Sequence, residues 1–86
     1  MLKVLIANDD LTPMEFVVLL LERFFGKSTD EATRIMLQVH HEGQGVCGVY
    51  EEARARELLN EATAFIAEHR HPLQLSLAPD DTGQPA

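Results

Sequence analysis

The sequence predicts an α+β domain with the element order β-α-α-β-α-β and one small sheet carrying three helices. Three observations lead there. Two short runs are aliphatic or alternate apolar with polar residues, and a third is glycine-rich and β-branched, so strands are expected at three separate places. Between them lie longer stretches with apolar residues at helical spacing, opened by cap residues and closed by glycine or proline. Finally, a chain of 86 residues has room for a single core, because a domain of this size buries only roughly 60 to 65% of its unfolded surface. Such an order suits one sheet with helices packed mainly on one side.

Leu2 to Ala7 (LKVLIA) reads as a buried strand that ends in Asn8-Asp9-Asp10, residues that favour turns by bonding their own backbone. Thr12-Pro13-Met14-Glu15 follows with an N-cap hydroxyl, a proline at the first helical position and a glutamate placed to close a capping box. This helix is apolar on nearly every side, from Met14 through Phe25, and Gly26 stops it, so it must be covered on more than one face. Ser28-Thr29-Asp30-Glu31 opens a second helix, whose single stripe of Ala32, Ile35, Met36, Val39 and His40 runs to Gly43. Gly43 to Tyr50 is too rich in glycine for a helix and reads as a strand with an irregular start. The third helix spans Glu51 to His69, with Ala55, Leu58, Leu59, Ala62, Phe65 and Ile66 in period and His69, Arg70 and His71 at its cation-favouring end. Pro72 bars its continuation, and Leu73, Leu75 and Leu77 then alternate with polar residues as in a half-buried strand. Ala78 onward has no apolar periodicity. The folded core is therefore set at residues 1–78 and a disordered C-terminal tail at residues 79–86.

Seven basic against 14 acidic residues leave a net charge of −7, which repels phosphate backbones and anionic lipid and argues against nucleic-acid or membrane partners. Cys47 is the single cysteine, so nothing calls for an oxidising compartment. The longest apolar run, Phe16 to Leu21, is far short of the roughly 20 residues of a membrane helix, and no targeting segment is visible. The cytoplasm is the expected location.

Two constellations could carry chemistry. Asn8, Asp9 and Asp10 sit outside a strand end, where carboxylates can hold Mg²⁺ or an ammonium group; VLIANDD resembles the opening of a phosphoacceptor receiver domain, but that fold needs about five β-α units and a later aspartate, for which the chain has no room, and a solvated turn capping the next helix is the competing reading. Met36, Val39 and His40 share one helix face, either as core or as an apolar pocket wall with a ring nitrogen offered to a polar ligand. His40, His41, Cys47, His69 and His71 match no zinc-ligand spacing. A Cys47–His40 nucleophile pair is disfavoured by the apolar strand around Cys47. Gly43 to Gly48 lacks the lysine and following helix of a phosphate cradle. No metal, no cofactor and no catalysis are expected.

The blocks NDDxTPMEFVV (Asn8 to Val18), IMLQVHHEGQGVCGVY (Ile35 to Tyr50) and HPL (His71 to Leu73) resemble the ClpS family of bacterial N-degron adaptors, over roughly Lys3 to Leu77. The resemblance implies a small three-stranded antiparallel sheet packed against three helices, and no enzymatic activity. It implies recognition of proteins beginning with Leu, Phe, Tyr or Trp (the N-end rule) and their delivery to a ClpA- or ClpC-type AAA+ unfoldase working with the ClpP peptidase. By the same resemblance Asn8, Asp9 and His40 meet the substrate's α-amino group, and Ala7, Asp10, Thr12, Met14, Val17, Met36, Val39 and Leu73 surround its first side chain. The chemistry fits. An α-ammonium needs acceptors such as a carboxylate, an amide oxygen and a neutral imidazole nitrogen. Charge-assisted bonds of about 1.5 to 3 kcal/mol each and a similar gain for burying a leucine-sized side chain add up to roughly micromolar binding after association costs.

The sequence departs from the family pattern at three places. Family members carry an N-terminal arm before the first strand, whereas this sequence begins at the strand, which leaves arm-dependent delivery open. The family's unfoldase-facing motif E-V-A-E-T-K aligns with Ala53-Arg54-Ala55-Arg56-Glu57-Leu58, so Ala53 and Leu58 stand where Glu and Lys are usual and docking is expected to differ. Ala7 replaces a larger aliphatic residue, which predicts a deeper pocket. The alternatives are an N-degron-binding module with altered or lost docking, and a small metal-responsive regulatory domain using Asp9 and Asp10.

Overall fold

A computed structural model describes residues 1–80 of the chain. Its elements are β1 (Leu2–Ala7), α1 (Met14–Phe25), α2 (Thr29–Glu42), β2 (Gln44–Tyr50), α3 (Glu52–Glu68) and β3 (Gln74–Pro79), the expected β-α-α-β-α-β order. β1 is the central strand and runs antiparallel to both neighbours, in the order β2-β1-β3. Its aliphatic content suits that position, since a central strand is buried against helices along its inner face. Val4 and Ile6 are 0% exposed, and Leu77 and Leu75 lie opposite them on β3. Strict alternation sends Lys3, Leu5 and Ala7 to the opposite face. A β-bulge interrupts the β1–β2 ladder. Val4 pairs with Gly48 but Leu5 with Val46, so Cys47 is the extra residue and its side chain is buried.

The three helices cover the inner face. α1 packs against α2, α3 and β2, burying Phe16, Val17, Leu20, Leu21 and Phe25, while Leu19 stays exposed. Gly26 ends it at φ 63°, where glycine carries no Cβ penalty, and returns its N–H to the Leu21 carbonyl. α2 opens with a complete capping box: Ser28 Oγ accepts from the Glu31 N–H at 3.2 Å, and Glu31 Oε1 accepts from the Ser28 N–H at 3.2 Å. Donation to Glu31 Oε1 by the Ser28 N–H, and by the Ser28 hydroxyl at 3.1 Å, holds the exposed Glu31 carboxyl below its ordinary range. α3 buries Ala55, Leu58, Ala62 and Ile66. A run of rings locks α1 to α3. Phe16 stacks on Phe65 at 5.4 Å, Phe24 meets Phe65 at 5.1 Å, and the Arg23 guanidinium lies 5.1 Å from the Phe65 centroid.

The structure departs locally from the sequence expectation. Thr12 does not cap α1: the N-cap is Pro13, whose side chain has no acceptor to offer, and the Thr12 hydroxyl donates to Asp9 Oδ2 at 2.5 Å. The irregularity foreseen at the start of β2 lies at Cys47, where the bulge lets the strand stay paired on both sides. β3 runs past Leu77 to Pro79, which pairs with Leu2, so the chain is still in the sheet where the tail was expected to begin. Residues 81–86 of that expected tail lie outside the described residues.

Candidate functional site

The segment after β1 is tied to the end of α2 by backbone. α2 ends at Gly43, whose φ of 91° favours glycine and whose N–H returns to the Val39 carbonyl at 2.9 Å. The carbonyl of the same Gly43 accepts the Asn8 N–H at 2.8 Å. Asn8 is thereby fixed beside the last turn of α2, which carries Val39 and His40. The chain then turns through Asp9 to Thr12, closed by the Thr12 N–H to the Asp9 carbonyl at 3.2 Å and by the Thr12 hydroxyl to the Asp9 carboxylate. Asn8 Nδ2 donates to Asp10 Oδ1 at 3.3 Å. That donation orients the Asn8 side-chain amide, and the hydroxyl of Thr12, only 7% exposed, orients the Asp9 carboxylate.

Between this turn, α1 and α2 opens a cavity of about 260 Å³. Its floor is apolar, formed by Val17 of α1, Val39 of α2 and Leu73 ahead of β3, all buried, with Met36 half-buried beside them. Asn8, Asp10, Pro13, Met14 and His40 form an exposed rim. The lining includes two carboxylates and no lysine or arginine. Drug-sized pockets run from roughly 300 to 1,000 Å³. This one suits a single amino-acid side chain, with acceptors at its rim placed to meet a cationic amine.

The structure brings together most residues the sequence singled out: Asn8, Asp9, Asp10, Thr12, Met14, Val17, Met36, Val39, His40 and Leu73 all line the cavity. Ala7 does not. The period of β1 that buries Ile6 turns Ala7 to the other sheet face, where it is exposed, so the deeper pocket expected from its small side chain has no basis. Pro13 lines the cavity and was missed, although it lies between two residues already chosen. On α3, Ala53 is exposed but Leu58 is 2% exposed and belongs to the core. Leu58 cannot face a partner; that stretch offers Ala53 with Arg54, paired to Glu57, and Arg56, 3.3 Å from Glu52. The histidines past α3 serve local structure. His71 packs 4.3 Å from the Phe16 ring, and a His69 ring nitrogen lies 2.9 Å from the Phe65 carbonyl oxygen. Among the described residues no group of three or more His, Cys, Asp and Glu is placed to hold a metal ion, and no helix is long and apolar enough to cross a membrane.

Comparison with known proteins adds four findings. The sequence matches the family described as ATP-dependent Clp protease adaptor protein ClpS over residues 1–76. It is 55% identical over 80 residues to the ATP-dependent Clp protease adapter protein ClpS of Rhodospirillum centenum, covering 93% of this chain and 74% of that protein. The corresponding protein of Caulobacter vibrioides strain NA1000 is 54% identical over 78 residues, 91% of this chain and 72% of its own length. Among solved structures, that of Agrobacterium tumefaciens ClpS2 bound to L-phenylalaninamide superposes with a TM-score of 0.87 at 37% identity, covering 92% of this chain and 95% of that one.

Proposed function

Because the chain belongs to the ClpS family of ATP-dependent Clp protease adaptors, we propose that its cavity binds the first residue of proteins beginning with Leu, Phe, Tyr or Trp. The adaptor then presents them, in the bacterial cytoplasm, to a ClpA- or ClpC-type AAA+ unfoldase for degradation by ClpP, and performs no catalysis itself. The observation that carries this reading is the joining of two unlike surfaces in one small cavity, amine acceptors at the rim and an apolar floor. Asn8, Asp9 and His40 accept the α-ammonium. Asp10, Thr12, Met14, Val17, Met36, Val39 and Leu73 enclose the side chain. L-Phenylalaninamide, the compound bound to the Agrobacterium protein, has these two features: a free α-amine and a benzyl side chain.

The amine arm is what separates this reading from generic apolar binding. Fluorescent peptides beginning with Leu, Phe, Ile or Met, each with a free and an acetylated amine, are titrated by anisotropy at about pH 7.5. Micromolar or tighter binding of the free-amine Leu and Phe peptides is expected. Equal binding after acetylation would falsify the assignment of Asn8, Asp9 and His40.

A second reading keeps the pocket and changes the delivery step. The ion pairs Arg54–Glu57 and Arg56–Glu52 neutralise the start of α3 internally, and Leu58 presents nothing to a partner. Pull-down of a ClpA-type N-domain separates the two: capture favours delivery, and its absence alongside intact peptide binding favours a docking route of another kind.

A further inference from the structure

In the turn that joins β1 to α1, each residue but one has a task in the structure. Asn8 is anchored to Gly43, Asp9 and Thr12 close the turn on each other, Asp10 receives the Asn8 amide, and Pro13 is the N-cap of α1. Leu11 is the exception. It is 79% exposed, a branched apolar side chain held in water by a turn that several hydrogen bonds make rigid. Single exposed leucines need no explanation in general. This one stands between Asp10 and Thr12, both of which line the cavity, and three residues from Met14, a rim residue that is itself 45% exposed.

We propose that Leu11, together with the outer part of Met14, forms a second apolar subsite that contacts the side chain of the residue following the bound N-terminal residue. The inference rests on the reading of the cavity given above. With the α-amine taken by Asn8, Asp9 and His40 and the first side chain directed to Val17, Val39 and Leu73, the peptide has to leave across the remaining rim, past Asp10, Pro13 and Met14. Consecutive Cα atoms are about 3.8 Å apart. A second side chain leaving over that rim passes the side where the chain runs from Asp10 into Leu11, whose own exposed side chain stands just outside the cavity lining. The rigid turn loses little conformational freedom on contact, so modest burial converts efficiently into affinity.

The test compares two free-amine peptides, Phe-Leu and Phe-Ser with the same uncharged continuation, on the wild-type chain, Leu11→Ser and Leu11→Met. The wild-type chain is expected to prefer Phe-Leu by about fivefold, the effect of partly burying one leucine. Leu11→Ser should bring the ratio close to one and Leu11→Met should keep most of it. A wild-type ratio near one, or a ratio that Leu11→Ser leaves intact, overturns the subsite while leaving the first-residue pocket standing. Binding of neither peptide by the wild-type chain would remove the pocket and the subsite together.

Discussion

Met14 lines the mouth of the cavity and is 45% exposed. In the proposed complex its unbranched side chain would pack beside Leu or an aromatic ring and crowd a residue branched at Cβ. Met14→Ala is expected to raise the affinity for Ile and Val peptides about tenfold relative to Leu, read from paired anisotropy titrations; an unchanged Ile-to-Leu ratio removes Met14 from specificity. Thr12 illustrates why single residues were only partly legible beforehand. Its place in the motif marked it for the site, but its local sequence marked it as a helix cap. The helix begins one residue later, with Pro13 as its N-cap, and the Thr12 hydroxyl donates a charge-assisted bond to the Asp9 carboxylate. Ala7 was placed at the pocket by resemblance alone. The alternation of β1 puts it on the face opposite the buried Ile6, outside the cavity lining.

At the level of elements, the helices were legible because each carries its own punctuation. Ser28 and Glu31 announce α2, and both halves of the box are formed. Ser28→Ala should cost about 1 kcal/mol of unfolding free energy, measured by urea denaturation, with peptide affinity of the folded fraction preserved because the cap lies at the far end of α2 from His40. The bulge in β2 was not legible, since a strand's register depends on its partner and the pairing of Cys47 is invisible in one segment alone. Close approach between elements is equally hidden. At Gly45 an added Cβ would lie 2.8 Å from Val39 Cγ2, so glycine there lets β2 press against the helix that supplies a cavity wall. Val39 is β-branched and buried, and yields poorly. Gly45→Ala should therefore destabilise the fold by about 1 to 3 kcal/mol and weaken peptide binding as well. Loss of stability in a melt with unchanged affinity would show that Val39 can move without deforming the cavity.

For the whole molecule, one core holds both the sheet and the site, so titration of a buried group acts on everything. Burial pushes the Cys47 thiol up to about 12. The folded state thus favours the neutral thiol, a contribution fully present below the ordinary thiol range near 8.5 and lost as the pH climbs toward the folded value. Melting temperature should fall as the pH rises above about 9, and Cys47→Ala should flatten that alkaline limb. Native protein should also resist thiol alkylation at about pH 8 and react on unfolding. Global charge, by contrast, was readable at once and says the least about the cavity, whose lining is a few acceptors and apolar walls.

The bond from Asn8 to Gly43 has a further consequence, for hydrogen exchange. It joins segments distant in sequence, so its amide proton exchanges when the end of β1 and the end of α2 part. In the proposed complex a peptide seated between Asn8 and His40 would oppose that parting. Hydrogen–deuterium exchange at the Asn8 amide should slow in step with occupancy, making one backbone proton a reporter of the fraction of the protein that holds a peptide.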